Sequence, residues 1–280
     1  MDKMSKGTEK CVQFLKEKYA IDISVYDHSF AEKEIKKRMA VCSCYSVDDY
    51  LMLLDEIPDE TTVLLSQLSN SYSEFFRNPL TFAHLEQLIL PALIGQKLKN
   101  KENEIRIWSA ACASGQEVYS IAMMCDELVE TTKTNIVCRI FATDFSEDEL
   151  VKAQKGEYNE ANLNKVTLKR IQKYFTKRGE TYTVASKLRK YINFSFFDLL
   201  NENESCPPAS IYGNFDLIFC TNLLFYYRPE YRRRILDKVG NCLIPGGYVV
   251  TGESEREIVR ANNFHEIFIN SAIFKKTHNR

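Results

Sequence analysis

Two architectures follow one another along this chain of 280 residues: an all-helical domain, then an α/β domain built on a mainly parallel sheet. Three observations predict them. From Thr8 to about Leu98 the apolar residues recur at the spacing of one helix face, with almost no alternating pattern. Beyond the lysine-rich GQKLKNKENE (Gly95 to Glu104), strand-like apolar runs alternate with helical patterns, which implies a sheet covered on both faces. Finally, IRIWSAACASGQEVYS (Ile105 to Ser120) reads as strand, small-residue turn and helix, and IFATDFS (Ile140 to Ser146) as a further strand tipped by Asp144. That succession is how a Rossmann-like sheet holds a nucleoside-bearing cofactor. The boundaries expected from these changes are 1–94 for the helical domain, 95–104 for a solvated linker and 105–280 for the Rossmann-like domain.

Each element has its own signal. Cys11, Phe14, Leu15 and Tyr19 suit a first helix, and Ala31, Ile35, Met39 and Cys42 a second. Residues 47–54 suit a third, and Val63, Leu64, Leu65 and Leu68 a fourth. Asn78-Pro79 reads as an N-cap followed by proline at the first helical position, opening a fifth helix that runs through Ile89 and halts near Pro91. Strands are expected at 105–110, 136–143, 191–197, 215–220 and 248–251. Helical patterns follow the first strand and Asp144, and PEYRRRILDKVGNCL (Pro229 to Leu243) precedes the fifth strand. YFTKRGETYTVASKLRK (residues 174–190) has short β-like pieces around Arg178-Gly179 and reads as a small antiparallel insertion. The tail FHEIFINSAIFKK (Phe264 to Lys276) holds no helix-sized repeat and reads as a hairpin closing the sheet edge.

Composition narrows the class. Hydrophobic residues make up 45% and charged residues 27%, enough apolar material for a sizeable core. A formal net charge of -1 argues against bulk binding to nucleic acid or to an anionic membrane. No apolar run approaches the ~20 residues of a membrane span, and MDKMSKGTEK lacks a signal-peptide core. The expectation is a cytoplasmic protein, a monomer, with no direct membrane insertion. Among the 9 cysteines Cys42-x-Cys44 is the closest pair, and the 4 histidines fall at no ligand spacing, so no metal is expected.

The turn before Gln116 narrows the cofactor. Gly115 and Asp144 are spaced so that the carboxylate can accept hydrogen bonds from ribose hydroxyls. There is no G-x-G-x-x-G, the arrangement that lets a pyrophosphate approach the backbone. A ribose without a diphosphate favours S-adenosylmethionine, with S-adenosylhomocysteine as product, and disfavours an NAD-dependent dehydrogenase.

Six segments occur in one order: LSNSYSEFFRNP, IRIWSAACASGQEVYSIAM, FATDFSEDELVKAQKGEY, YFTKRG, FDLIFCTNLLFYY and LIPGGYVVTGESE. In that order they resemble the CheR family, the chemotaxis receptor glutamate O-methyltransferases, over nearly the whole chain. W-S-A-x-C-x-S/T-G-x-E-x-Y-S is quite specific to the family, whereas L-x-P-G-G indicates only a class I S-adenosylmethionine-dependent methyltransferase. The resemblance implies methyl-ester formation on glutamates in the cytoplasmic helical region of methyl-accepting chemotaxis receptors.

It also implies roles residue by residue. Glu117 would face the methionine amino group or sulfonium region of the cofactor, against the plain alternative of a first-turn glutamate favoured by the helix dipole. Gln116 stands where the family usually has glutamate. Asp144 would bind ribose, against a helix N-cap that Ser146 can supply by itself. Asp198-Leu199 replaces the usual Asn-Leu of the adenine contacts; Asp198 still accepts a hydrogen bond but no longer donates. Arg77 would reach both cofactor and acceptor carboxylate, since a guanidinium fork matches a carboxylate. Ser73 keeps the hydroxyl of a usual threonine, while Ser71 loses the amide of a usual asparagine. In TNLLFYY, Asn222 and Tyr226 match the Asn and Tyr of R-N-V-x-I-Y-F; Thr221 replaces the Arg, and Tyr226 would orient the acceptor carboxylate. Trp108 and Phe75-Phe76 are assigned to the core, the alternative being a ring that flanks the cofactor.

On the second helix Lys33, Lys36 and Lys37 lie opposite the apolar stripe, with Arg38 nearer its flank. A solvated face is the usual meaning of such a run. In the resembling family this helix docks on the acidic methylation region of the receptor. Some members also hold a receptor's C-terminal pentapeptide on the β insertion through a longer, glycine-rich turn. Here TKRGETYTV has only Gly179, and tether-independent methylation is expected. Two rivals stand beside the enzyme: a methyltransferase acting on another carboxylate, and a non-catalytic scaffold that binds the cofactor. The departures at Ser71, Gln116, Asp198 and Thr221 keep the scaffold open, and the retention of Arg77, Glu117, Asp144, Asn222 and Tyr226 together weakens it.

Overall fold

The computed structural model describes residues 5–69 and 72–277. The chain forms two compact units, one of Met1–Asn70 with Phe225–Arg232, the other of Ser71–Leu224 with Arg233–Arg280.

In the helical unit, α1 (Lys6–Tyr19), α2 (His28–Val41), α3 (Val47–Glu56) and α4 (Pro58–Leu68) match the expected periodicities. Their starts follow local chemistry. Ser5 and Asp27 accept backbone N–H bonds at the starts of α1 and α2, Ser46 and Asp49 form a reciprocal capping box before α3, and Pro58 opens α4. Cys11, Leu15, Ala31, Ile35, Tyr50, Leu54, Leu64 and Leu68 form the core. Arg38 departs from expectation: it is buried, its guanidinium meeting Glu60 at 2.5 and 2.7 Å. Tyr50 donates to the same carboxylate at 2.9 Å. Arg38 is therefore a paired core cation and not part of a docking surface, because an unpaired charge at that depth would be costly. Residues 225–232, placed by the sequence pattern in the second domain, join this unit. Tyr227 forms an antiparallel bridge with Tyr26, and their rings stack at 5.4 Å.

The remaining helices are α5 (Pro79–His84), α6 (Leu90–Lys99), α7 (Gln116–Thr132), α8 (Glu147–Lys155), α9 (Leu168–Tyr174), α10 (Ser186–Arg189), α11 (Pro229–Cys242) and α12 (Arg256–Arg260). The strands are β1 (Glu104–Ser109), β2 (Val137–Asp144), β3 (Glu157–Asn159), β4 (Phe175–Arg178), β5 (Thr181–Val184), β6 (Ile192–Phe196), β7 (Phe215–Phe219), β8 (Leu243–Val250), β9 (Phe264–Glu266) and β10 (Ile273–Lys276). A 7-stranded sheet has the order β6-β2-β1-β7-β8-β10-β9. Pairs from β6 to β8 are parallel, and β10 and β9 add the expected antiparallel hairpin at one edge. The L-x-P-G-G segment bulges within β8: Phe215 faces Leu243 while Leu217 faces Tyr248, and Gly246 takes φ 81°.

Two expectations are corrected here. The helix from Pro79 does not halt near Pro91, and 95–104, though exposed over most of its length, is not a linker between domains, since it ends α6 and opens β1. A π-helical turn, Leu85–Ile89, carries the chain from α5 into α6. The Leu90 N–H reaches back to the Leu85 carbonyl, so the wide turn leaves Pro91 at the start of a new helical stretch, where its missing N–H costs little. Lys97, expected in solvent, is buried and paired with Asp216 at 2.8 Å. Because α5 and α6 pack on this core through Phe82, Leu85, Ile89, Leu90, Leu93 and Ile94, the boundary falls at 70/71 and not near 94.

The β insertion is a 3-stranded sheet, β3-β5-β4, and β3 lies ahead of the stretch 174–190 expected from the sequence. Asp126 of α7 anchors its neighbourhood, accepting from Tyr174 at 3.0 Å, Lys187 at 2.9 Å and Tyr191 at 3.2 Å. Those bonds hold its carboxyl below the usual range despite burial.

Candidate cofactor cleft

In the α/β unit β1 lies between β2 and β7, so the strand order reverses at β1. In an open α/β sheet that switch point, at the carboxyl ends of the strands, is where ligands bind. Past β1 the chain turns through small residues, with Ala113 at φ 45° and Gly115 at φ 91°. A Cβ on Gly115 would meet the Ala153 Cβ of α8 at 3.0 Å, so glycine satisfies both the left-handed backbone and the close packing.

Asp144 stands at the tip of β2. Its Oδ2 accepts the Ala113 N–H at 2.8 Å and its Oδ1 the Ser146 N–H at 2.9 Å. Ser146 itself caps α8, accepting from Glu149 N at 3.3 Å. Asp144 thus braces the turn after β1 and keeps lone pairs for further donors. Burial pushes its pKa above the ordinary 3.8, against the pull of the backbone N–H groups.

Glu117, in the first turn of α7, receives the Ser109 hydroxyl on Oε1 at 2.8 Å and the Thr221 hydroxyl on Oε2 at 2.5 Å. Burial raises its carboxyl above the usual range; the two hydroxyls and Arg77 oppose that rise. Gln116 points elsewhere, to Ser114 at 2.9 Å. Arg77 is flanked by Phe76 at φ 47° and Asn78 at φ 51°, conformations that non-glycine residues hold at a cost and that gather at functional sites. Asn78 occupies the N-cap position of α5 without a side-chain capping bond. The Arg77 guanidinium lies over the Tyr72 ring at 5.2 Å and donates to the Tyr72 carbonyl at 3.3 Å.

Ser73, Arg77, Ala111, Ala113, Glu117, Thr221 and Asn222 line one narrow cleft. With Tyr72 and Glu74 at its rim, this set of acids, a guanidinium and hydroxyls around alanines suits a ligand carrying an ammonium and a carboxylate. The structure therefore brings Ser73, Arg77, Glu117, Thr221 and Asn222 together. Asp198 and Leu199 follow β6, on the far side of β2 from β1; Asp198 accepts the Leu200 N–H at 2.8 Å, and Leu199 is buried. Ser71 lies outside the described residues. Tyr226 belongs to the helical unit, its ring 4.7 Å from Phe30. On α2, Lys33, Lys36 and Lys37 are exposed, but Lys36 pairs with Glu32 at 2.6 Å and Lys37 with Glu34 at 3.3 Å. Among the described residues no group of three or more His, Cys, Asp or Glu could hold a metal ion.

Glu255 stands outside the residues that the sequence motifs single out. Fully buried, it accepts N–H bonds from Asn222, Leu223 and Leu224 at 2.6, 2.7 and 2.6 Å. Gly252 N–H and the Thr251 hydroxyl complete its shell at 2.9 and 3.0 Å. This one carboxylate sets the corner after β7, including Asn222 at φ 56°. Its only signal in the sequence is an acid in GESE directly after an apolar strand.

Comparison with known proteins identifies the family. The family model described as CheR methyltransferase, SAM binding domain, matches residues 71–273, and CheR methyltransferase, all-alpha domain, matches residues 7–69. A chemotaxis protein methyltransferase of Borreliella burgdorferi is 29% identical over 270 residues, covering 95% of this chain and 93% of the relative. Chemotaxis protein methyltransferase 1 of Pseudomonas aeruginosa is 34% identical over 197 residues, 69% of each chain. An uncharacterized 104.1 kDa protein of Rhodobacter capsulatus is 29% identical over 239 residues, covering 85% of this chain and 24% of the relative. With both domain models matched in order and the cleft built from the matched segments, the chain belongs to the CheR methyltransferase family, and S-adenosylmethionine is its cofactor.

Proposed function

We propose that this chain is a protein-glutamate O-methyltransferase acting on glutamate side chains of methyl-accepting chemotaxis receptors. The observation that carries the reading is the cleft itself, where Arg77 and Glu117 set a fixed cation and a half-buried carboxylate around small residues. The names of the Borreliella and Pseudomonas relatives support chemotaxis as the setting.

S-adenosylmethionine supplies a methyl group made electrophilic by a sulfonium. The chain's own work is to bind and align. A glutamate side chain, with a pKa of about 4.3 in model peptides, is already a carboxylate at neutral pH, so no general base is required. The acceptor must be desolvated and held in line, and positioning supplies most of the rate enhancement. Arg77 is assigned to the acceptor carboxylate and to the cofactor, Glu117 to the ammonium group, and Asp144 to the ribose. Asp198 and Leu199 are assigned to the adenine and Tyr226 to orienting the acceptor. Lys33, Lys36 and Lys37 on α2 are the proposed docking cations for the acidic receptor helix.

The test is transfer of radiolabelled methyl from S-adenosylmethionine to receptor-containing membranes, followed by release of labelled methanol in base. Base-labile label on the receptor supports the reading. Cofactor binding without transfer would replace it by the scaffold, and base-stable label would exclude a methyl ester.

A further inference from the structure

The strained backbone around Arg77 needs an explanation beyond the cleft. Phe76 holds φ 47° in a buried position, and such conformations persist only where the surroundings over-determine them. Part of that grip comes from α7, where the Ser120 hydroxyl accepts the Phe76 N–H at 3.0 Å. Phe82 of α5 meets the Phe76 ring edge-on at 5.2 Å, and Arg170 on α9, the helix that leads into the β insertion, covers its face. Its guanidinium lies 4.5 Å above the Phe76 ring. Its edge is occupied by carboxylates on both sides: Glu127 of α7 at 2.7 and 3.1 Å, and Glu86 of the π-helical turn at 2.8 Å. One planar cation therefore joins three segments, and two of them, Phe76 and the turn that follows α5, enclose Arg77 in the chain. Phe75 next to it packs on the β insertion, its ring meeting Phe175 of β4 at 5.6 Å and Tyr158 of β3 at 4.9 Å.

We infer that Arg170 is a positioning residue for Arg77: it holds Phe76 over its strained backbone and thereby aims the Arg77 guanidinium into the cleft. The geometry suits arginine in particular, since a lysine keeps the charge but offers neither the flat face for the ring nor the fork for Glu127. The inference rests on the reading of Arg77 as a cofactor ligand.

A double-mutant cycle separates the two. S-adenosylhomocysteine affinity is measured by calorimetry for the wild type, Arg77→Ala, Arg170→Met and the double variant, with thermal unfolding followed in each. If Arg170 acts through Arg77, Arg170→Met weakens binding about 3–30-fold in the wild type and less than about 2-fold in the Arg77→Ala background, the non-additivity of coupled residues. Arg170→Lys should fall between Arg170→Met and the wild type, and it carries the comparison if Arg170→Met does not fold. An equal loss of affinity in both backgrounds, or no loss in either, would overturn the inference alone. Wild-type affinity in Arg77→Ala would overturn the reading of Arg77 beneath it, and the inference with it.

Discussion

Glu255→Gln is a small change in shape with a large expected effect. Oε1 of Glu255 accepts from Leu223 and Leu224 N–H, and Oε2 from Asn222 N–H, Gly252 N–H and the Thr251 hydroxyl. Glutamine keeps one acceptor oxygen and turns an NH2 donor on whatever the other faced. Its better orientation keeps the oxygen toward the three donors and leaves two buried N–H groups opposed. At about 1–3 kcal/mol for each buried group left unsatisfied, the loss is about 2–6 kcal/mol. In a domain this size each kcal/mol lowers Tm by roughly 2–4 °C, so a mid-range loss moves it by roughly 8–16 °C. Trp108 is the sole tryptophan, fully buried in the α/β unit, so its fluorescence in urea follows the unfolding of that unit. Cofactor affinity should fall as well, because the Thr221–Asn222 corner loses its support. A loss of stability under about 1 kcal/mol would refute the argument, since the N–H groups would have found other partners.

Other consequences concern charge and chemistry. Asp144→Ala should weaken cofactor binding by roughly 1.5–3 kcal/mol at neutral pH, the worth of hydrogen bonds to a charged group. Because burial raises the Asp144 pKa above 3.8, wild-type affinity should begin to fall at a pH where an ordinary aspartate is still ionised, and calorimetry across that range should show the mutant curve flatter. The same shift acts on stability with the opposite sense: the contribution of a raised acid is fully present below its unfolded pKa and lost as pH rises through the folded value. Tyr226→Phe should lower kcat while leaving cofactor affinity nearly intact; turnover at the wild-type rate would remove the orienting role. Reversing Lys33, Lys36 and Lys37 to glutamate should raise KM for receptor and flatten its salt dependence, without altering cofactor binding. A wild-type KM indifferent to salt would return these lysines to a solvated face.

What the sequence displayed, and what it concealed, follows from the range of each interaction. Helix faces, caps and strands are local, and α1 to α4 and the parallel core appear where period and capping residues put them. Asp144 and Gly115 were legible because a turn and a strand tip carry their own short-range signals. Arg38 was misplaced for the complementary reason. At seven residues after Ala31 and three after Ile35 it falls on the apolar stripe, but its charge suggested the surface, and only Glu60, 22 residues on, explains its burial. Glu255 hid in the same way: its partners Asn222 to Leu224 lie more than 30 residues earlier in the chain. Pro91 ended the expected helix because a π-helical turn has no composition of its own. Strand β3 is three residues long, too short to show an alternation, and exists because β5 offers it an edge.

Whether a receptor tail is captured on the β insertion can be argued from the insertion's geometry. Arg178 pairs with Thr181, so the β4–β5 hairpin turns in two residues, Gly179 at φ 58° and Glu180. A turn that short adds no backbone surface beyond the strands. β4 is an edge strand of four residues. In an antiparallel pair alternate residues exchange both backbone bonds with the partner strand, so two residues of β4 can offer about four bonds to an added peptide. At about 1 kcal/mol net for each bond, the main chain contributes about 4 kcal/mol, while micromolar binding requires about 8 kcal/mol. Ordering the peptide backbone, at roughly 1–2 kcal/mol per residue, widens the deficit. Side chains must then supply most of the affinity, yet Thr176, Lys177 and Arg178 are exposed on β4, and Lys177 lies over the Tyr182 ring of the same hairpin at 4.9 Å. We therefore expect methylation independent of a C-terminal tether, with docking left to α2. The check is calorimetric titration of a receptor C-terminal pentapeptide into the full chain, together with methylation of receptor lacking its tail. Micromolar binding, or a large drop in methylation on tail deletion, would show that contacts outside the β4 edge hold the peptide and would sink the argument.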